Sequence, residues 1–516
     1  MYRPLPFWSW NDKLEINELK EQIDDTKELD TERVLAIYLY NEGNRDYYRL
    51  QEEQDYTCKP GEKLLIIKKC VNPYYIDTMN KDAVKAFLRH THALYYQRFG
   101  QEFGNAFKGF FTDEPRLSCN NIGDLAWSDC LPQAFLQKYN YDIMHHLPAL
   151  FLKTKNYQKY RYDFWVLVNE LFVNAYMKTI YDWCEKHQCM LTGHLMMEES
   201  IFSQMTSTAG VMPFYEYMHM PGIDWLRRMI LSPVIAKQVG SVACQLRKKH
   251  VLTESFALCG WDVNFAELKW IAEWQFVNGV NRVCQHLQSY TIKGARKRDY
   301  PPSLFIQQTW WKEYRKFNDY LGRMGVALSN GIQKVDVLLL HPLRSGYVCY
   351  DGSRTDEIRN LDNAFTETCE QLAGLHISYH LGDETLISKY AAIEDDRFII
   401  GEMAYKTVII PEMYAIDYKT VQLLLKFINQ GGRVLSLGSF PKFINGAEEE
   451  LDLLKRKIIN VRIEDIKKYL IERKLVGLSI SQGDKEVKNI HYQQQKHEEG
   501  TVLFFVNLDQ KEKYTP

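Results

Sequence analysis

The chain has 516 residues, of which 46% are apolar and 25% are charged, and its formal net charge is −2. This length is too great for one hydrophobic core and predicts two to four domains of ordinary globular composition. The near-neutral charge argues against nucleic acid or an anionic membrane as a partner, and no apolar run is long enough for a transmembrane helix.

The aromatic residues and cysteines indicate which kinds of binding site the protein could contain. Aromatic residues make up 13% of the chain, and such rings either fill large cores or line sugar-binding clefts, where they stack on pyranose rings. Composition leaves both interpretations open. The 11 cysteines are scattered without the spacing of a structural zinc site. With no secretory signal at the start, we expect a cytoplasmic protein with free thiols.

The first segments of the chain read as β-structure. "PFWSWN" places Trp8 and Trp10 on one face of an extended strand, where they could line a sugar site or plug the bottom of a barrel. "RVLAIYLY" and "KLLIIKK" follow, and the polar stretch 41–62 between them favours an antiparallel hairpin.

From about residue 80 to 325, helical segments alternate with short apolar strands that end in polar residues. This alternation predicts a parallel sheet, and polar side chains at the carboxyl ends of parallel strands build the active site of a (β/α)₈ TIM-type barrel. The sequence therefore predicts an α/β fold with a catalytic barrel over residues 1–330.

Five predicted strand ends carry candidate site residues: Asp113 and Glu114; His194 with Glu198 and Glu199; His219 and Asp224; Glu254; and His286. Converging carboxyl groups suit glycosidic bond cleavage, which needs one protonated acid and one ionised carboxylate.

Each candidate also has a structural alternative. Glu114 could start a helix at Pro115, and Asp224 could cap the following helix. Glu254 could be a buried carboxylate held by neighbouring hydroxyls, and His194 and His286 could be core histidines. Because Glu198 and Glu199 are adjacent, only one of them is expected to point into a site.

A change of pattern near residue 333 predicts a second α/β domain. "KVDVLLLHP", "KTVIIPE" and "GGRVLSLGS" are apolar strands separated by helices at 361–374 and 416–430, as in buried parallel sheets. We expect this domain to cover 331–445. Residues 446–516 end in the strand-like "GTVLFFVNLDQ" and predict a partial β-rich region.

Several motifs together resemble a known family. "PFWSWND", "FFTDEP", "TGHLMMEE", "PGID", "LTESFALCGW" and "HLQSYTIKGARKRDYPPS" are similar to the α-L-rhamnosidases of glycoside hydrolase family 106, which are related to clan A barrel glycosidases such as the family 42 β-galactosidases. The second domain resembles the amidotransferase-like, flavodoxin-like domain that follows the barrel in those relatives.

The resemblance implies that Glu114 ends the fourth barrel strand as the acid and that Glu254 ends the seventh as base or nucleophile. It adds Trp8, Trp10, Asn11, Asp113, His194, Glu198, Asp224, Trp261, His286 and Arg296 as substrate-binding candidates. The rhamnosidases invert configuration with the help of calcium, for which Asp113, Glu198 and Asp224 are candidate oxygen ligands; the chemistry itself requires no cofactor. Clan A enzymes retain configuration.

One departure from the family pattern bears on activity. The segments that would supply the second and third barrel strands are not recognisable, which would leave an unpaired edge in the barrel. We predict a glycosidase that acts on an oligosaccharide or glycoside, with an α-L-rhamnoside as one substrate. The alternatives are a retaining β-galactosidase-like hydrolase and a carbohydrate-binding relic without catalysis. A homo-oligomer formed through the second domain is a further prediction.

Overall fold

The computed structural model describes residues 34–50, 61–72, 74–117, 123–286, 288–473 and 475–514. The predicted sugar-site residues Trp8, Trp10 and Asn11 lie outside these ranges. Among the described helices, none is long and apolar enough to cross a membrane. The cysteines in the described ranges are free thiols, as expected from their scatter.

The predicted hairpin is confirmed as a small antiparallel sheet. The central strand carries Tyr38 and pairs with one strand on each side. Tyr38 is opposite Leu65 in one neighbouring strand and Arg49 in the other. Its three strands are β1 (Val34–Asn41), β2 (Asp46–Arg49) and β3 (Glu62–Lys68). The hydroxyl of Tyr38 donates to the Met144 carbonyl oxygen at 2.6 Å and fixes this sheet to the following helical region.

Five parallel strands form a curved sheet, in which spatial order follows chain order. They are β4 (Gly109–Thr112), β5 (Met190–Gly193), β6 (Met220–Trp225), β7 (Leu252–Ser255) and β8 (Arg282–Gln285). Because every strand is followed by a helical connection, all five carboxyl ends lie on one edge. This half-barrel is the observed part of the predicted barrel.

Helices surround the curved sheet. They are α1 (Lys81–His90), α2 (His92–Phe99), α3 (Leu131–Tyr139), α4 (Leu147–Phe151), α5 (Tyr157–Phe172), α6 (Lys178–Lys186), α7 (Ile201–Ser207), α8 (Met212–Tyr215), α9 (Val234–Gln245), α10 (Phe265–Val277) and α11 (Tyr314–Ser329). A π-helical turn, Val173–Met177, joins α5 to α6. Trp165, Trp274 and Phe172 are fully buried in this core, so part of the aromatic content serves packing.

A second parallel sheet follows the barrel region. The remaining strands are β9 (Ile332–Gln333), β10 (Val337–Leu340), β11 (Tyr379–Gly382), β12 (Ala391–Glu394), β13 (Arg397–Ile400), β14 (Met403–Tyr405), β15 (Thr407–Ile410), β16 (Ala415–Ile416), β17 (Arg433–Ser436), β18 (Phe443–Ile444), β19 (Ala447–Glu448), β20 (Ile459–Asn460), β21 (Ser481–Gln482), β22 (Lys485–Glu486), β23 (Ile490–His497) and β24 (Gly500–Asn507). The parallel sheet has the order β11-β10-β15-β17-β20, the 2-1-3-4-5 order of a doubly wound fold.

The helices around this sheet are α12 (Leu343–Cys349), α13 (Asp356–Gly374), α14 (Glu384–Tyr390), α15 (Tyr418–Asn429), α16 (Asp452–Lys455) and α17 (Ile463–Ile471). Strands β10, β15 and β17 are nearly wholly buried, as predicted from their apolar sequences. The sheet extends past residue 445, because β20 pairs with β17. Strand β23 pairs with β9 and β24, so the C-terminal strands lie against the end of the barrel region.

Candidate active site

The carboxyl ends of β4–β8 bring six predicted site residues together. Asp224 and Glu254 are direct neighbours in the register of β6 and β7, so their side chains lie on the same face of the sheet. The others come directly after a strand or one residue further on. The six are Asp113, Glu114, His194, Asp224, Glu254 and His286.

Glu254 is held by two histidines. Its Oε2 accepts a hydrogen bond from His194 Nε2 at 2.8 Å, and its Oε1 lies 3.8 Å from His286 Nε2. Burial would raise the pKa of Glu254, but the hydrogen bond from His194 and the charges of both imidazoles outweigh it and lower this pKa. Glu254 is therefore ionised at neutral pH.

His194 carries the matching positive charge. The ring is almost fully buried, and burial by itself would lower its pKa. The hydrogen bond to Glu254 and the negative charge of that carboxylate nevertheless raise the pKa of His194 to about 9. A buried imidazolium next to a carboxylate forms a charge-assisted pair that keeps Glu254 in one orientation.

Glu114 and Asp224 have the opposite shift. Burial raises the pKa of Asp224 to about 8 and raises that of Glu114, and the nearby carboxylate of Glu254 adds to both shifts while His194 opposes them. Ligating atoms of Glu114, Asp224 and His194 all lie within 4.8 Å of one another. The site thus combines one ionised carboxylate with two carboxyl groups that favour the protonated form.

Glu114 has an unusual backbone. Its φ of 47° lies in the left-handed region, which a non-glycine residue adopts only at a cost of order 1–3 kcal/mol. No helix begins at Pro115 in the described ranges, so the structure gives no support to a helix-start role for Glu114. This strained backbone lies two residues after the end of β4, at the carboxyl edge of the sheet.

Glu198, a predicted substrate or metal ligand, makes structural contacts in the described chain, and its binding role stays a prediction. Its side chain is buried and accepts hydrogen bonds from the Tyr215 hydroxyl at 2.7 Å and from the backbone amides of Leu195 and Asp224 at 3.3 and 3.1 Å. Glu198 fixes the positions of the segments that carry His194 and Asp224. The adjacent Glu199 is exposed.

The predicted calcium ligands do not form one set in the described ranges. Asp113 lies near His194 and Glu254, with its side chain 77% exposed, whereas Asp224 lies near Glu114 and His194. Both oxygens of Glu198 are already hydrogen-bonded. Both three-residue clusters contain an imidazole, while Ca²⁺ takes oxygen ligands. The calcium site composed of Asp113, Glu198 and Asp224 therefore stays a prediction.

The loops that follow β7 and β8 are tied to each other. Trp261 Nε1 donates to the Lys297 carbonyl oxygen at 2.8 Å, and the Gly260 amide donates to the Pro301 carbonyl oxygen at 3.1 Å. Trp261 is thus half-buried against the basic loop and supports it. Arg296 is exposed on the 3₁₀ turn Gly294–Arg298 of this loop, and its binding role stays a prediction.

Two tyrosines near the site were not predicted. Tyr300, with a φ of 46°, places its ring centroid 5.7 Å from that of His286. The Tyr75 hydroxyl accepts a hydrogen bond from the Arg116 amide at 3.2 Å, and its pKa is raised first by burial and also by Glu114 and Asp113. The sequence signal for both is weak, since neither follows a strand of the curved sheet.

His219 does not belong to the site, which corrects the prediction from its motif. It precedes β6 rather than following it, and its Nε2 bonds Glu185 Oε1 at 2.5 Å. Its Nδ1 accepts a hydrogen bond from the Leu191 amide. His219 therefore lies at the amino end of the sheet.

Comparisons with known proteins agree with this architecture. The sequence profile of glycoside hydrolase family 106, described as alpha-L-rhamnosidase, matches residues 69–512. The fold is similar to that of a rhamnosidase from Novosphingobium sp. PP1Y, with a TM-score of 0.62, 17% identity and coverage of 88% of this chain and 43% of that protein. A catalytic mutant of Gan42B, a GH42 β-galactosidase from G. stearothermophilus, also gives a TM-score of 0.62, at 11% identity, covering 86% of this chain and 78% of that one.

A curated protein of Formosa agariphila, provisionally named a beta-glucuronidase, is 24% identical over 243 residues, which are 42% of this chain and 19% of that protein. The chain thus spans about a fifth of this relative and less than half of the Novosphingobium rhamnosidase.

Proposed function

The chain belongs to glycoside hydrolase family 106, the family described as alpha-L-rhamnosidase, and from this premise we propose that it cleaves a terminal sugar from an oligosaccharide or glycoside. The first substrate class to test is an α-L-rhamnoside. Glu114 is the proposed acid, and Glu254 is the proposed base or nucleophile.

The observation that supports this assignment is the opposite direction of two pKa shifts at one sheet edge. The pKa of Glu254 is lowered and that of Glu114 is raised. Glycosidases need this separation, because one carboxyl group must give a proton while the other stays ionised. Both groups lie near the same buried imidazole, His194.

In the proposed reaction, Glu114 donates its proton to the glycosidic oxygen as the bond to the anomeric carbon breaks. Glu254 works from the opposite face and takes a proton from an attacking water molecule, which inverts the configuration. His194 keeps Glu254 ionised and oriented. Asp224, whose ligating oxygen lies within 4.8 Å of those of Glu114 and His194, is the proposed contact for a sugar hydroxyl.

The test compares Glu254→Gln and Glu114→Gln with Glu199→Gln on an aryl α-L-rhamnoside. We expect the first two to lower kcat by about 10²–10⁴-fold, with a native circular dichroism spectrum, and the exposed Glu199 variant to keep wild-type turnover. Wild-type turnover by Glu254→Gln would remove Glu254 from the mechanism.

The product anomer separates the alternatives. The opposite anomer, seen first by NMR, supports inversion, whereas the original anomer supports the retaining mechanism suggested by the GH42 likeness. Saccharide binding without turnover of any aryl glycoside would favour a carbohydrate-binding relic.

For the active enzyme, turnover should rise with pH as Glu254 ionises below 4.5 and fall as Glu114 loses its proton above 4.5.

We also propose that the second parallel sheet is the core of an amidotransferase-like domain that has no amidotransferase activity. Glu412 and Met413 follow β15 where a nucleophilic cysteine would be needed. A cytoplasmic location and a homo-oligomer formed through this domain complete the proposal, and size-exclusion chromatography with light scattering tests the oligomer.

A further inference from the structure

A groove separate from the candidate active site lies between strand β2 and the start of helix α5. It has a volume of about 930 Å³, within the range of small-molecule sites. One wall is the segment 45–50, and the other consists of His145, His146, Lys155, Asn156 and Tyr160. None of these residues follows a strand of the curved sheet.

The groove carries two arginines without a charge partner. Arg45 and Arg49 both line it and both are exposed, and neither guanidinium group makes an ion pair or hydrogen bond with the part of the chain that the structure describes. They stand at the two ends of β2, about 13 Å apart along the strand. Lys155 is paired with Asp46 at 2.8 Å, so the two free guanidinium groups set the charge of the groove.

Aromatic rings line the same groove. The His146 ring stacks on Tyr160 with centroids 4.0 Å apart, and the Tyr47 hydroxyl bonds His146 Nδ1 at 3.1 Å. These contacts hold three rings rigidly, while Tyr48 on β2 is 49% exposed. Fixed aromatic rings give apolar contact area at low entropic cost, and sugar rings stack on such faces.

The position of the groove relates it to the active site. Helix α5 with its continuation leads into β5, so its first residue, Tyr157, lies toward the carboxyl edge of the sheet. Thirty helical residues, from Tyr157 to Lys186, span about 45 Å, much more than the four-residue strand. The groove therefore opens at the same end of the barrel as Glu254, but at a distance from it.

We propose that this groove is an accessory site for an acidic saccharide, whose carboxylates pair with Arg45 and Arg49 while its rings contact Tyr48 and Tyr160. Guanidinium groups bind carboxylates through two parallel hydrogen bonds, which a neutral sugar cannot accept with the same strength. The ligand class, a saccharide, rests on the proposed function. Binding at this site does not require turnover.

The experiment measures binding of trigalacturonic acid to the full chain carrying Glu254→Gln, by calorimetry at low salt. We expect the double change Arg45→Gln with Arg49→Gln to weaken binding at least ten-fold. The matched control Arg89→Gln, an exposed arginine on α1, should leave it unchanged. Maltotriose, a neutral trimer, should bind at least ten-fold more weakly than the acidic one.

Several outcomes would overturn the proposal: no binding of the acidic trimer, equal binding of maltotriose, or equal affinity after both arginines are replaced. Inorganic phosphate that binds as tightly as the trimer, with no loss in Tyr48→Ala, would mean a simple anion site. Because the binding assay needs no hydrolysis, the groove proposal and the hydrolase proposal can fail separately. If the wild-type protein hydrolyses no glycoside but binding still depends on the two arginines, only the hydrolase proposal is rejected.

Discussion

At the scale of single residues, one buried imidazole decides the protonation of the groups around it. His194 keeps a positive charge through its hydrogen bond with Glu254, and Glu254 stays ionised in return. Asp224 lies beside the same pair and retains its proton because a further buried negative charge would be costly. The difference between the low pKa of Glu254 and the high pKa of Asp224 therefore arises from the cluster of neighbouring residues and not from either carboxyl group alone.

The raised pKa of Asp224 predicts how stability depends on pH. Because its folded pKa of about 8 exceeds the unfolded value of about 3.9, its neutral form favours folding fully below pH 3.9, and this contribution is lost as pH rises to 8. Asp224→Asn, which stays neutral, should therefore be more stable than wild type at pH 9, with a smaller difference at pH 5. Urea unfolding at both pH values measures this.

The exposed Asp319 on helix α11 gives the control, since Asp319→Asn should show the same difference at both pH values. An Asp224→Asn variant whose advantage does not grow between pH 5 and pH 9 would contradict the raised pKa.

Glu198 provides a second prediction at this scale. In Glu198→Gln an amide nitrogen replaces one carboxylate oxygen, so one of the donors Tyr215, Leu195 or Asp224 loses its acceptor. We expect a loss of about 1–3 kcal/mol in unfolding free energy and a lower kcat, because Asp224 and His194 lose a fixed support. Glu199→Gln should change stability by less than about 0.5 kcal/mol; equal effects of the two variants would argue against the role of Glu198.

At the scale of elements, the strands were predicted more accurately than their side-chain directions. "FKGFFTDEP", "LTESF" and the three apolar strands of the second sheet all form strands as expected. The strand in the motif "MHMPGID" was placed less accurately, because it begins after His219 and includes Asp224. A shift of a few residues in a strand boundary therefore moved one histidine to the opposite end of the sheet.

Gly193, the last residue of β5, shows what the strand end requires. Its φ is +133°, and a Cβ atom there would lie 1.9 Å from the Thr112 carbonyl oxygen. Gly193→Ala should therefore lower the unfolding free energy by at least ~2 kcal/mol and displace the next residue, His194, so that turnover is lost. Thermal unfolding and the aryl glycoside assay measure both effects.

Gly322 on helix α11 is the matched control for Gly193. Apart from its chain neighbours and the backbone of its own helix, no atom of the described chain lies within 4 Å of a Cβ added at Gly322, so Gly322→Ala should stabilise the helix by up to ~1 kcal/mol. Wild-type stability in Gly193→Ala would show that this strand end tolerates a side chain and that His194 does not depend on it.

At the scale of the whole molecule, buried polar contacts join the two parallel sheets. The Tyr162 hydroxyl on α5 donates to Asp417, which also pairs with Arg344 Nε at 3.0 Å. Gln245 on α9 donates to the Leu381 carbonyl oxygen and the Tyr405 hydroxyl, both at 3.0 Å. Such buried contacts lose their partners if either sheet unfolds alone, so they couple the two.

This coupling predicts one cooperative unfolding transition in calorimetry. Arg344→Met should cost about 3–5 kcal/mol, because it leaves the buried Asp383 and the mostly buried Asp417 without their cation. Arg359→Met removes a surface pair with Asp356 and should change stability by less than about 0.5 kcal/mol. Two separate transitions in the wild-type protein would contradict this account of the interface.

The sequence by itself determined the order of elements, the family resemblance and most of the residues that lie together at the candidate site. Alternating apolar segments specify strands and helices locally, and the polar residues that end parallel strands must meet at one edge. Glu114, His194, Asp224, Glu254 and His286 could therefore be named from their positions along the chain.

Only the tertiary structure decided which neighbour each side chain meets. Glu198 accepts a hydrogen bond from Tyr215, which lies 17 residues further along the chain, and the protonation of Asp224 depends on His194 and Glu254. Tyr300 reaches His286 through a loop that Trp261 and Gly260 hold in place. Desolvation and pair distances fix these roles, and both arise from contacts between segments far apart in the chain, which local sequence patterns do not encode.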